Sequence, residues 1–127
     1  VWQDPFTTLF DPETAISIAD CLVALGYQPV FIKLLPGGKA AHVLGDRSRF
    51  LRQAKRLHGA IGEVAASGRP MIGVDAAFVM MLRQEYAKSG LGEARVLLVQ
   101  EMLSREIASG RTFPQVSADR LPKKLFL

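Results

Sequence analysis

The spacing of apolar side chains along the chain predicts strands and helices in alternation. Short, continuous apolar runs at 29–34 and 70–74 are bounded by glycine and proline, a pattern typical of strands covered on both faces. Longer stretches at 11–26, 46–67 and 75–90 carry apolar residues every three or four positions, with charged residues between them. This spacing predicts three amphipathic helices.

Capping residues mark where two of these helices begin and where the first one ends. Asp11 and Asp75 occupy N-cap positions, and Pro12 stands at the first helical position after Asp11. Gly26 is placed to stop the first helix. The segment 94–110 begins apolar and becomes amphipathic, so its first residues leave strand and helix open.

The order of the elements predicts an α/β fold class. Strands that alternate with helices form a parallel sheet with helices on its faces. Counting strand-like residues at 1–3 and 123–127, we expect residues 1–127 to be a single α/β domain. Its sheet should be mostly parallel, with about four strands and helices on both faces in three layers. Strands 29–34 and 70–74 should be adjacent or nearly so.

Composition places the chain among ordinary folded proteins. Hydrophobic residues make up 49% and charged residues 22% of the 127 positions, and no apolar run reaches the roughly 20 residues of a membrane span. We therefore expect a soluble protein without a transmembrane segment. The net charge of +4 is modestly basic. Without a known motif or an aromatic and basic platform, it predicts no nucleic-acid partner.

Cysteine content and the two chain ends suggest where the protein works. One cysteine, Cys21, rules out an internal disulfide and a cysteine-based metal site, and fits a reducing compartment. We expect a cytoplasmic protein, and a peripheral position at the inner membrane stays open. The chain begins VWQDPFTT, without Met or signal-peptide features, and ends within the strand-like LPKKLFL. Both ends predict a segment excised from a longer multidomain chain.

Three loops are candidates for function because groups in such sheets gather beyond the carboxyl ends of the strands. They are residues 4–11, residues 35–46 and the turn at Asp75. The second belongs to LLPGGKAAHVLGD, which contains two glycines, a lysine and a histidine. It matches neither the phosphate-loop pattern nor the dinucleotide pattern G-x-G-x-x-G, so it is a weak signal for phosphate.

Lys39 and His42 in this loop are residue types that act as acids and bases, but a structural interpretation is favoured. No carboxylate is fixed near His42 by spacing, and geometry rather than residue type establishes a general base. We expect His42 to be partly buried and hydrogen-bonded, and His58 to lie at the surface or the core boundary. The sequence predicts no catalytic residue and no metal site.

Other reactive or bulky side chains are also best explained by packing. Cys21, beside the apolar stripe of the first helix, is expected to be a small buried hydrophobe. Asp4 precedes a proline and suits a turn or a cap. Arg83, Glu85 and Tyr86 are expected to lie on a solvated, charged helix face. Three methionines, Met71, Met80 and Met81, are expected to fill the core.

Three stretches together resemble a known family: QDPFTTLFDPE, YQPVFIKLLPGGKAAHVLG and GRPMIGVDAAFVMMLRQEY. They are similar to the C-terminal region of large bacterial FAD-linked oxidoreductases of the D-2-hydroxyacid dehydrogenase type, in which a flavin domain is fused to an iron–sulfur region. The resemblance covers about residues 2–105. It implies a parent enzyme that oxidises a D-2-hydroxyacid, such as lactate, glycolate or 2-hydroxyglutarate, at FAD and passes electrons through iron–sulfur centres, 4Fe-4S included, to an acceptor.

That region is in turn similar to the cysteine-rich CCG domains of anaerobic glycerol-3-phosphate dehydrogenase and heterodisulfide reductase subunits. Their Cys-Cys-Gly turn, which helps to hold an iron–sulfur centre, corresponds here to PGGKAAHVLG, and a later cysteine position to GVDAAFVMM. Neither stretch contains a cysteine. The resemblance therefore implies a cysteine-depleted scaffold half, with no cofactor in this fragment and FAD and the cluster elsewhere in the parent chain.

On this interpretation the loop residues Gly37, Gly38, Lys39 and His42 lie at an inter-domain junction or a cofactor edge. The implied partners are the flavin and cysteine-rich domains of the same parent chain and an electron acceptor. Two alternatives stay open: a stand-alone module that binds a small molecule or nucleotide, and a non-catalytic docking domain.

Overall fold

The computed structural model describes residues 1–114, so the strand predicted at 123–127 lies outside the described part. Within residues 1–114 the chain forms six α-helices and two β-strands. In chain order these are α1 (Pro5–Phe10), α2 (Pro12–Ala24), α3 (Lys39–Val43), α4 (Arg47–Ala66), β1 (Met71–Gly73), α5 (Ala76–Lys88), β2 (Val96–Leu98) and α6 (Val99–Ala108). None of the helices in this part has the length and apolarity that crossing a membrane requires.

A small parallel sheet lies at the centre of the chain. Strands β1 and β2 pair in parallel, with Met71 opposite Val96. The backbone N–H of Trp2 donates to the carbonyl of Ile72 at 2.7 Å, and Trp2 forms an isolated parallel bridge with Gly73. The mixed α/β character and the parallel pairing are therefore confirmed.

Residues 29–34 are hydrogen-bonded to Val1, which precedes the residue that pairs with this sheet. The nitrogen of Val1 donates to the carbonyl of Val30 at 2.6 Å, and the N–H of Ile32 donates to the carbonyl of Val1 at 3.1 Å. Residues 30–32 and β1 thus lie on opposite sides of the segment Val1–Trp2. The prediction that 29–34 and 70–74 are adjacent or nearly so is borne out.

The prediction that 29–34 forms a buried strand is wrong. These residues have no regular strand structure, and Val30 is 63% exposed. Pro29 has no N–H to donate, and the neighbouring segment is too short to build a ladder of hydrogen bonds. The regular sheet of the described part has two strands, and four strands in three layers stay a prediction.

Apolar side chains pack on both sides of β1, because successive residues of a strand face opposite ways. Met71 belongs to a cluster with residues of α4 and α5, among them Leu57 and Leu82, which are fully buried. Ile72 belongs to a second cluster that includes Leu22 of α2 and Met102 of α6. Trp2 is fully buried in the first cluster.

The longest helices and the cap at Asp75 are confirmed, since Asp75 accepts a hydrogen bond from the N–H of Phe78 at 2.7 Å at the start of α5. Asp11 stands at the N-cap of α2 as predicted, but its side chain accepts no capping hydrogen bond from the N–H groups of this helix. Asp46, which the sequence analysis had not named as a cap, caps α4 by accepting from the N–H of Arg49 at 2.9 Å. The ambiguous segment 94–110 contains β2 followed at once by α6. Asp4, predicted to serve a turn or a cap, caps α1, which the sequence analysis had not separated from its turn.

Several side chains predicted to be buried are instead exposed. Cys21 is exposed on α2, and so are Ile16 and Val23 of its predicted apolar face, at 58% and 59%. Met71 and Met81 are buried as predicted, but Met80 is 41% exposed. The apolar stripes of α2 and α5 are wider than the part of each helix that the core of this chain covers.

Arg83 ties α5 to β2 and α6 rather than lying on a solvated face, as the sequence had predicted. Its guanidinium donates to the carbonyl of Val96 at 3.0 Å and to a carboxylate oxygen of Glu101 at 2.9 Å. Glu101 also accepts from the N–H of Leu98 at 2.8 Å. Hydrogen bonds from Arg83 and then from Leu98 lower the pKa of Glu101 from its ordinary value of 4.5 to about 2.

Gly73 provides a test of the packing between β1 and α5. A Cβ atom at this position would collide with Cγ2 of Val79, which is fully buried. We expect Gly73→Ala to lower the free energy of unfolding by about 1–3 kcal/mol through overpacking, measured by urea denaturation. The control is Gly59→Ala within α4, where a Cβ meets nothing within 4 Å. Since alanine favours a helix, this variant should gain roughly 0.5–1 kcal/mol. Equal effects at both positions would contradict the packing.

Acid should remove the contribution of Glu101 to stability. Because its folded-state pKa lies below the unfolded value of 4.5, this contribution is fully present above the unfolded pKa. It is lost as the pH falls from about 4.5 towards about 2. We expect Glu101→Gln to be less stable than the wild-type chain at pH 7 and the difference to shrink across that window, measured by urea denaturation at a series of pH values. A difference independent of pH would contradict the assignment.

Candidate functional site

The three loops singled out by topology meet in one pocket, here called the carboxyl-edge pocket, of about 670 Å³. It lies beyond the carboxyl ends of β1 and of the segment at Trp2. Residues of α1, the loop from Pro36 to Ala41 and Asp75 line it, together with Arg49 and Gln53 of α4. The predicted convergence of these loops is therefore confirmed.

Aromatic side chains from distant parts of the chain hold the 35–39 loop in place. The hydroxyl of Tyr86 donates to the carbonyl of Gly37 at 2.8 Å in a fully buried position, and burial raises the pKa of Tyr86. The indole N–H of Trp2 reaches the carbonyl of Leu35 at 3.4 Å. The backbone of this loop is consequently fixed from the core side.

Gly38 is the N-cap of α3 and needs to be glycine for two reasons. Its φ of +91° lies in the left-handed region, which side chains other than glycine rarely adopt. A Cβ atom would also stand 2.7 Å from the ring of Phe50. At Gly37 a Cβ would lie 3.4 Å from the ring of Trp2. The absent side chains of both glycines thus face the core, while their backbones line the pocket.

Lys39 lines the pocket with its ammonium group 4.3 Å from the centre of the Phe78 ring. This distance is typical of a cation–π contact, which holds the charge over an apolar surface. Arg49 contributes a second cation to the lining. The single lining carboxylate, among residues 1–114, is that of Asp75, and it is engaged in capping α5. The pocket therefore carries a positive balance of charge.

His42 does not line this pocket. Its Nε2 atom lies 3.7 Å from a carboxylate oxygen of Glu85, and its ring packs 5.2 Å from that of Phe50. The side chain is 44% exposed, so the predicted partial burial is wrong. Lys88 binds the same carboxylate at 2.7 Å, which lowers the pKa of Glu85, with His42 adding a smaller effect. The structure brings Gly37, Gly38 and Lys39 together and turns His42 towards α5.

Large apolar side chains surround the pocket mouth, and the sequence analysis missed them. Phe6, Leu9 and Phe10 of α1 are 57%, 72% and 74% exposed, and Leu44 is 79% exposed. The rings of Phe6 and Phe10 pack at 5.1 Å. Their spacing of three and four residues was the available signal, because it is typical of one face of a helix. We call these four residues the apolar rim.

The residues of the pocket do not fit an iron–sulfur cluster. Such clusters are held by several cysteine thiolates. The lone cysteine of the chain, Cys21, is exposed on α2 and is not among the lining residues. Within residues 1–114, no three His, Cys, Asp or Glu side chains are grouped so that they could hold a metal ion.

The chain is similar to part of several bacterial dehydrogenases. It is 40% identical over 113 residues to a D-2-hydroxyglutarate dehydrogenase of Escherichia coli (strain K12), covering 86% of this chain and 11% of that protein. Proteins of the same name from Pantoea ananatis (strain AJ13355) and Haemophilus influenzae (strain ATCC 51907 / DSM 11121 / KW20 / Rd) are 41% identical over 111 residues and 33% over 109. These matches cover 84% and 83% of this chain, and 11% and 10% of the two relatives.

The chain therefore spans about a tenth of the length of these curated relatives. No family model and no solved structure matches it. The predicted resemblance to dehydrogenases of the D-2-hydroxyacid type is confirmed. The resemblance to cysteine-rich CCG domains stays a prediction.

Alanine substitutions at two glycines of the 35–46 loop distinguish the cost of backbone strain from the cost of a clash with Phe50. Gly38→Ala places a side chain at positive φ and against the Phe50 ring, whereas Gly45→Ala, at φ +74°, meets nothing within 4 Å. We expect Gly45→Ala to cost about 1–2 kcal/mol of unfolding free energy and Gly38→Ala a further 1–3 kcal/mol, roughly. Urea denaturation of both variants measures this difference, and equal costs would show that Phe50 does not restrain the loop.

Proposed function

We propose that this chain is a non-catalytic scaffold segment of a larger FAD-dependent and iron–sulfur-dependent dehydrogenase. That enzyme would oxidise a D-2-hydroxyacid of the lactate, glycolate or 2-hydroxyglutarate type. The observation that carries this proposal is the similarity of 86% of the chain to about a tenth of a D-2-hydroxyglutarate dehydrogenase. The FAD and the cluster would belong to other parts of that polypeptide, since the pocket described above does not fit a cluster.

The carboxyl-edge pocket is the surface by which this segment would contact its neighbours, the flavin and cysteine-rich domains. Contiguous exposed apolar side chains are uncommon on free-standing proteins and mark interaction sites. The apolar rim places four such side chains around one opening. The loop beneath it is held by the hydrogen bond from Tyr86 to Gly37, so it offers a fixed surface.

Lys39 gives this surface an electrostatic role. Its ammonium lies over the Phe78 ring inside the pocket, where solvent screens its charge less than on an open surface. A neighbouring domain that carries negative charge near its redox centre would be stabilised by this cation. The proposal thus assigns Lys39 to the junction, with Gly37 and Gly38 supplying backbone at the pocket wall and His42 supporting α3 from the side of α5.

A second function, binding of a small molecule by the chain alone, is favoured by the size of the pocket. Its volume of about 670 Å³ falls within the roughly 300–1,000 Å³ of small-molecule sites. The lining is mostly apolar with a few charged groups, which is also typical of such sites. A saturable ligand at residues 36–46 of the isolated chain would support this alternative over a docking surface.

The docking role predicts a selective effect of Lys39→Ala in the full-length enzyme. We expect transfer of electrons to the acceptor to slow by up to about fivefold, since one charge pair near a surface contributes up to about 1 kcal/mol. Reduction of the flavin by D-2-hydroxyglutarate should stay unchanged in stopped-flow measurements. His42→Ala, which removes the contact with Glu85, should act in the same direction with a smaller effect.

The matched control is Lys55→Ala, which removes the same charge from the exposed surface of α4. It should leave both steps unchanged. If Lys39→Ala behaves like Lys55→Ala, the loop is only a turn between elements. If flavin reduction itself slows, Lys39 serves the substrate half of the enzyme instead.

A further inference from the structure

A second cleft lies at the opposite edge of the sheet, at the amino ends of β1 and β2. It has a volume of about 870 Å³ and is here called the amino-edge cleft. Four arginines from four different segments line it: Arg69 before β1, Arg83 of α5, Arg95 before β2 and Arg105 of α6. Distant parts of the sequence therefore place positive charge in one depression.

The arginines of this cleft are not equivalent. Arg83 is only 18% exposed, and its donors are used by Glu101 and the carbonyl of Val96. Arg69, Arg95 and Arg105 are exposed, and within residues 1–114 no carboxylate lies within 4.0 Å of their nitrogens. Three guanidinium groups thus have no carboxylate partner in the described part of the chain, while Arg83 is held against the wall of the cleft by Glu101 and Val96.

The carboxylates of the cleft offset only part of this charge. Glu106 is paired with Arg111 at 2.9 Å, and Glu93 is exposed. In the described part of the chain, the three free arginines therefore face one carboxylate that has no basic partner within 4.0 Å. Between the arginines the lining is apolar, at Pro70, Met71 and Leu97.

We propose that the amino-edge cleft binds an acidic polypeptide segment of a partner protein, with an apolar side chain between its carboxylates. Guanidinium groups bind carboxylates through paired hydrogen bonds, which suits Arg69, Arg95 and Arg105 to Asp and Glu side chains. The apolar lining at Pro70 and Leu97 accommodates the side chain between them. The proposal is independent of the function proposed above, because it concerns the other edge of the sheet and none of the same residues.

Two other classes of anion fit the cleft less well. A small anion is best held by buried, pre-oriented donors. The donors of the mostly buried Arg83 are already used by Glu101 and Val96, and the three other arginines are exposed to solvent. A single-stranded nucleic acid binds through base stacking on aromatic side chains. Among residues 1–114, no aromatic side chain lines the amino-edge cleft. An acidic peptide requires neither feature.

The test is a binding titration of the full 127-residue chain with a fluorescein-labelled peptide of glutamates around a central leucine, followed by anisotropy at low salt. We expect saturable binding that weakens as salt is raised, because these charges are exposed to screening. The variant Arg69→Gln/Arg95→Gln/Arg105→Gln should weaken binding about tenfold, since three exposed charge pairs are lost. The control Arg52→Gln/Lys55→Gln/Arg56→Gln removes the same charge from exposed positions of α4 and should change binding less than about twofold.

Several outcomes would overturn the proposal. They are absence of binding, equal weakening in both triple variants, and tighter binding of inorganic phosphate or an oligothymidylate in competition with the peptide. Circular dichroism establishes that each variant is folded. Should the first triple variant lose its helical signal, Arg69→Gln/Arg95→Gln replaces it, because both residues lie in exposed loops and contribute to no helix.

Discussion

The arrangement of the sheet, the 35–39 loop and α5 depends on the contacts of Trp2. Its backbone N–H binds the carbonyl of Ile72, which joins the first residues of the chain to β1. Its ring is fully buried and packs edge-on against Phe78 of α5 at 5.9 Å. Its indole N–H reaches the carbonyl of Leu35. One side chain thus positions the wall of the carboxyl-edge pocket relative to the strand and the helix that complete it.

The two edges of the sheet differ in chemistry because different elements end there. At the carboxyl edge, two short helices, α1 and α3, present apolar side chains around a loop whose polar backbone is satisfied from the core. At the amino edge, arginines project from the segments that enter the two strands and from the helices α5 and α6. Arg83 of α5 pairs with Glu101 of α6 beside β2, and this ion pair keeps the guanidinium of Arg83 largely out of solvent.

Local signals in the sequence predicted much of the fold. The cap at Asp75 and the apolar spacing of α4 depend on neighbours within a few positions, and the structure has them as predicted. Burial was predicted less well. Residues such as Val30, Cys21 and Met80 were placed inside because apolar character predicts burial without saying what covers a side chain. Coverage depends on contacts between segments that are distant in sequence.

In the candidate site, too, some features were predictable from the sequence and others depend on contacts between distant segments. The predicted topology identified its three loops, since the ends of parallel strands meet at one edge, although the segment before the 35–46 loop proved not to be a strand. The separation of Lys39 from His42 could not be predicted, because it depends on α3, whose position is fixed by Phe50 and by the bond from Tyr86. Those partners lie on α4 and α5, and no local pattern relates them to the loop.

The apolar rim also governs how the chain behaves in concentrated solution. Attraction between exposed phenylalanine and leucine side chains of different molecules is opposed by repulsion between their net charges of +4. Salt shortens the reach of that repulsion to about 8 Å at physiological ionic strength and leaves the apolar attraction in place. The colloidal stability of the isolated chain therefore decreases as salt is added, in the opposite sense to a protein whose self-association is driven by ion pairs.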